Sequence, residues 1–121
     1  MRLRQLSDKT TVVLVFDTDV EMTDILRENL RILQKEPRVK QIWCVLQVKK
    51  FEDEIVRSTD VNAAKDLLDC SSGQEFKHSF IKEKRLFQKL QEHHFSYDLL
   101  WVQPSPAGYK EISNDGWRIK L

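Results

Sequence analysis

The 121-residue chain has 40% hydrophobic and 32% charged side chains, with only three Gly and three Pro. That suits one small domain over residues 1–121 with a buried core, and it excludes a disordered or collagen-like chain. A net charge of +1 leaves bulk electrostatics indifferent to nucleic acid and to anionic membranes. No apolar run approaches the roughly 20 residues of a membrane span, so no membrane partner is expected. Met1 to Leu6 lack the apolar block of a signal peptide. Cys44 and Cys70 lie far apart with no CxxC spacing, which predicts reduced thiols in a cytoplasmic protein.

Thr11 to Phe16 are a continuous, mostly β-branched apolar run, the pattern of a strand buried on both faces of a parallel sheet. Asp17-Thr18-Asp19 ends it. Met22, Leu26, Leu30 and Leu33 then recur at helical spacing, with Ile25 and Ile32 beside them. Thr18 and Glu21 have the spacing of a capping box, and Pro37 stops the helix. Val39 to Val48, centred on Ile42 to Leu46, reads as a second buried strand. Strand, helix and strand make a βαβ unit.

The second half reads as helical. Phe51 to Arg57 is a short acidic helix. Asp60 is a candidate cap for a helix carrying Val61, Ala64, Leu67 and Leu68. Ser72 and Glu75 have capping-box spacing before a helix with Phe76, Phe80 and Ile81 inward. Leu86, Phe87 and Leu90 extend it or start another. Tyr97 to Val102 fits helix or strand, and the tail from Pro104 is turn-rich. The pattern predicts a small α/β domain: a mainly parallel sheet, flanking helices and a helical C-terminal half.

Asp17 and Asp19 are the sharpest chemical feature. Ligand sites gather at the carboxyl ends of strands in open α/β sheets. In extended chain, side chains two apart point the same way. Two neighbouring carboxylates repel, and a hard divalent cation relieves that. Mg²⁺, or Mn²⁺, held weakly by the pair is the expectation. Lys49-Lys50-Phe51-Glu52-Asp53-Glu54 follows the second strand at the same sheet edge. Glu52 or Glu54 is expected to complete the metal shell, and Lys49 or Lys50 to hold phosphate. The alternative use of these acids is the favourable interaction with a helix N-terminus. A basic stretch from Lys77 to Lys89 includes Lys82 and Arg85 interleaved with Phe76, Phe80 and Phe87, a candidate nucleic-acid contact. His93-His94 lacks the spacing that puts two metal ligands on one helix face. Cys44, inside an apolar strand, reads as inert core.

Val12 to Asp19, the helix, the second strand and Lys50-Phe51-Glu52 resemble the latter half of a Toprim domain, in the RloB-like and OLD-type nuclease branches. The resemblance covers residues 10 to 60. It implies Mg²⁺-dependent phosphodiester hydrolysis of DNA or RNA, with Asp17, Asp19 and Glu52 catalytic and Asp17, Asp19 and Glu54 at the metal. Toprim domains also place a glutamate on an earlier strand, and Met1 to Thr10 contain none. That departure implies a fragment of a larger protein, a half-domain completed by a partner chain, or an inactive interaction or regulatory domain of the same fold. The chain also resembles haloacid dehalogenase-like phosphatases, with Asp17 as nucleophile and Asp19 as general acid. Val20 replaces their usual Gly, and the second half offers no strand ending in an acidic pair.

Overall fold

β-branched side chains favour extended backbone. The computed structural model, which describes residues 9–68 and 73–119, has β1 at Thr10–Asp17. Helix α1 spans Asp24–Lys35, and β2 spans Val39–Gln47. β2 lies parallel to β1, with Val13 opposite Trp43 and Asp17 opposite Gln47. The small α/β fold with a parallel sheet is therefore as expected. No helix among the described residues is long and apolar enough to cross a membrane.

α1 starts later than its capping pattern predicts. Thr23 is the cap, its Oγ1 accepting from the Leu26 amide at 3.1 Å. Thr18 is buried instead, and its hydroxyl donates to the Gln47 carbonyl at 2.8 Å. Its amide also donates to the Gln47 and Lys49 carbonyls. These bonds tie residue 18 to the end of β2, so the helix cannot begin there. The apolar stripe behaves as predicted. Met22, Leu26 and Leu30 pack with Phe16, Cys44, Leu46 and Tyr109, and Leu33 is buried. Ile25 beside the stripe is exposed. The helix ends before Pro37, whose ring disfavours helical backbone at Glu36.

β1 is not buried on both faces. Val13 and Val15 are nearly half exposed, while Val12, Leu14 and Phe16 alternate with them on the covered face. β2 is better covered because the tail lies along its far edge. The Leu46 amide donates to Asn114 Oδ1 at 3.1 Å. Asn114 Nδ2 donates to the carbonyls of Leu46 and Gln103. The Cys44 amide donates to Asp115 Oδ2 at 3.0 Å, and the Asp115 amide to the Cys44 carbonyl at 2.7 Å. A turn thus does the work of a third strand. A short 3-10 turn, Gly116–Arg118, follows it. A Cβ on Gly116 would sit 2.2 Å from the Trp101 carbonyl oxygen, so only glycine allows that approach.

The second half packs as its own core. It is built from helices α2 (Phe51–Ser58), α3 (Gly73–Lys82) and α4 (Leu86–Glu92), with a 3-10 turn at Ala64–Asp66 between α2 and α3. Ile55, Val61, Leu67 and Phe76 are buried here, with Phe51, Phe80 and Leu90 packed against them. Among the described residues, the helix expected after Asp60 is only that short turn. Asp60 pairs instead with Nδ1 of His93 and of His94, at 2.8 and 2.7 Å. Ile81, expected inward, is 84% exposed. Phe80 takes the inward position, one step of about 100° away on the helix. Tyr97–Leu99 is a 3-10 turn. The cap at Ser72 and the thiol of Cys70 lie outside the described residues.

Candidate active site

Parallel register brings the last residues of both strands together. Gln47 Nε2 donates to Asp17 Oδ1 at 2.7 Å. Lys77, on α3, places Nζ 3.4 Å from Asp17 Oδ2 and 4.0 Å from Glu52 Oε1. Glu52 lies in the first turn of α2. The result is two carboxylates from different elements converging on one ammonium. Glu52 Oε1 is buried and has no hydrogen-bond partner among the described residues. An orphaned buried acceptor of this kind invites a cation or water. Trp101 Nε1 donates to Gln47 Oε1 at 3.4 Å, which orients the amide that holds Asp17.

Asp17 and Asp19 have different neighbours: Asp17 meets Gln47 and Lys77, and Asp19 lies beyond the strand end. β1 stops at Asp17, Thr18 is bonded to the end of β2, and the two-residue alternation ends with the strand. Asp19 is exposed and lines a cavity of about 630 Å³ with Glu21, Arg27 and Lys49, which Asp17 does not line. Beside it, Tyr109 donates to the Val20 carbonyl at 2.6 Å. Burial first, and the Asp19 charge second, push that phenol above its usual range. The dehalogenase resemblance uses Asp17 as nucleophile and Asp19 as acid; here Asp17 bonds Gln47 and Lys77 while Asp19 lines the cavity.

Glu54, expected at the metal, has a different task. It is fully buried. Its Oε2 accepts from the Val48 amide and from Arg57, both at 2.8 Å, and Oε1 accepts from the Trp101 amide at 3.0 Å. Arg57 also donates to the Val48 carbonyl. A carboxylate committed to two backbone amides and a guanidinium is a structural clamp, joining the end of β2 to α2 and to Trp101. Among the described residues no three of His, Cys, Asp and Glu form a metal-binding group.

The expected phosphate and nucleic-acid cations separate into different places. Lys49 lines the Asp19 cavity, and Lys50 caps α2, where Asp53 accepts from the Lys49 and Lys50 amides. Lys82 and Arg85 flank the α3–α4 junction and are exposed. Cys44 is buried; burial, then the Asp115 charge, push its thiol up, as suits inert core.

Gln47 and Trp101 are not among the site residues expected from sequence, and Lys77 is expected there only within a basic run facing nucleic acid, not beside the carboxylates. Gln47 had a usable signal, a polar residue closing an apolar strand at the position opposite Asp17. Lys77 was hidden in a basic run, and only the burial of Phe76 against Phe51 and Phe80 turns it toward Asp17. No family model, curated protein or solved structure matches the chain.

Proposed function

We propose that this chain carries a Mg²⁺-assisted phosphodiester-cleaving centre of Toprim-like type, built on Asp17, Glu52 and Lys77. The observation that carries the reading is Lys77 held between Asp17 and Glu52 at the carboxyl ends of two parallel strands. The donor set fits a hard cation: two carboxylates, one of them with a buried oxygen that lacks a hydrogen-bond partner among the described residues. Mg²⁺ is bound through one or two carboxylates plus substrate phosphate and water. When bound, it would supply charge neutralisation at the phosphate and an activated water. Asp17 and Glu52 would hold it. Gln47 keeps Asp17 oriented, and Trp101 keeps Gln47 oriented. Lys77 offers a point charge for a phosphate oxygen, a role it takes when substrate draws it off the carboxylates. DNA or RNA is the substrate class.

A second reading is favoured by the same ion pairing. Lys77 already neutralises part of the carboxylate charge, as in a binding or regulatory domain that keeps the fold without the chemistry. Incubation with single-stranded and duplex DNA and RNA, in Mg²⁺ and in Mn²⁺, separates the two. Metal-dependent cleavage that falls at least about 100-fold in Asp17→Asn and Glu52→Gln supports the hydrolase. Cleavage surviving both substitutions would exclude this centre. Binding without cleavage by the unaltered chain favours the second reading.

A further inference from the structure

We propose that the hollow between α4 and the Phe95–Tyr97 segment is a stacking site for one base of a single-stranded nucleic acid. The hollow has a volume of about 260 Å³ and is lined by Phe87, Leu90, Gln91, Phe95 and Tyr97. That is roughly the room of nine waters, enough for one planar base. Phe87 is 71% exposed and Tyr97 56%. Phe95 and Tyr97 stand edge to face with centroids 4.8 Å apart, so two ring planes are already set. Gln91, one helical turn after Phe87, brings an amide able to donate to and accept from a base edge.

The surrounding charge selects the occupant. Lys82, Lys84 and Arg85 directly precede α4 and are exposed, and none has an ion-pair partner within 4 Å among the described residues. The other cations of this run, Lys77 and Lys89, are paired with Asp17 and Glu83. Exposed rings beside exposed cations are the two components of single-strand binding: bases stack on aromatic faces while the backbone follows positive charge. α3 links this surface to the carboxylate centre. Lys77 sits at Asp17, and Lys82 lies five residues on, about 8 Å along the helix axis. Lys82 is also turned about 140° around that axis from Lys77, so the two regions share the helix but lie on different faces of it.

The ligand class rests on the phosphodiester reading, but binding is measurable without chemistry. The test is fluorescence anisotropy of labelled oligothymidylate, oligouridylate and an abasic oligomer of equal length, all in EDTA. The base-bearing strands are expected to bind at least about fivefold more tightly than the abasic one. Phe87→Ala and Tyr97→Ala should each remove most of that difference and leave abasic binding unchanged, with circular dichroism confirming the fold. The DNA and RNA arms report whether the sugar matters. Equal affinity for abasic and base-bearing strands, or full affinity in Phe87→Ala, overturns the site. So does an absence of oligonucleotide binding, including one accompanied by Phe87-dependent self-association. If the strands bind with base dependence but nothing is cleaved in Mg²⁺ or Mn²⁺, the hydrolase reading fails and this site stands. Cleavage that depends on Asp17 without base-dependent binding gives the reverse.

Discussion

Lys77 lies between Asp17 and Glu52, so under the proposed reading it would compete with metal in the absence of substrate. Two unit charges at 4 Å in water interact by about 1 kcal/mol, and the side chain is more than half exposed, so the aqueous value applies. Lys77→Met should therefore tighten Mn²⁺ binding about fivefold, starting from a dissociation constant on the order of 1 mM, or about 4 kcal/mol. Isothermal calorimetry on both proteins checks this, and weaker binding in Lys77→Met would remove Asp17 and Glu52 as the metal ligands. The same substitution should lower cleavage if Lys77 holds phosphate. Metal affinity and turnover then move in opposite directions, which a merely structural lysine would not produce.

Asn114 shows how one side chain can stand in for an element. Its amide supplies an acceptor to the Leu46 amide and donors to the Leu46 and Gln103 carbonyls. Asn114→Ala leaves these backbone groups without those partners, at a cost of about 1–3 kcal/mol. Asn114→Asp retains the acceptor and should lose less. Urea unfolding of the three proteins measures the difference. A change below about 0.5 kcal/mol in Asn114→Ala would mean that the tail is not a working edge of the sheet. The turn-rich composition of residues 104–116 announced turns, but gave no sign that they would pair with β2. Hydrophobic periodicity reports which face of a strand is covered, and it carries no information about what fills an edge.

The two halves of the second core are tied by Asp60, which follows α2, and by His93 and His94, which follow α4. The Asp60 amide donates to the His93 carbonyl, and the Ser96 amide to the Ser58 carbonyl. Hydrogen bonds from His94, then His93, hold the Asp60 carboxyl below its ordinary 3.8. A carboxylate whose pKa is depressed on folding stabilises the native state above its unfolded pKa. That contribution is lost as pH falls through the folded value. The chain should therefore lose part of its stability below about pH 4. Asp60→Asn should be less stable at pH 6 and show a flatter dependence from pH 6 to pH 3. Denaturant melts across that range provide the test. An unchanged acid slope in Asp60→Asn would show that the pairing contributes nothing to the molecule as a whole.

Much of the fold was legible locally. The β-branched run of residues 11–16, the Met22-Leu26-Leu30-Leu33 stripe and the stop at Pro37 predict β1, α1 and the βαβ unit, because strand and helix periods are properties of neighbouring residues. The same local signals placed Asp17 and Glu52 at one sheet edge. Which carboxylates meet there was decided by tertiary structure. Thr18 hydrogen-bonds across to β2 where β1 ends, and Asp19 beyond it lines a cavity that Asp17 does not line. Glu54, two residues from Glu52 on a helix, is turned about 200° away and is drawn into amides that come from β2 and from Trp101. Lys77 reaches Asp17 from sixty residues away, because Phe76 is buried in the second core. Local patterning encodes β1, α1 and β2 and the kinds of side chain at their ends. Only the packing of distant segments, through long-range hydrogen bonds and burial that no local pattern encodes, determined which of those groups share a centre.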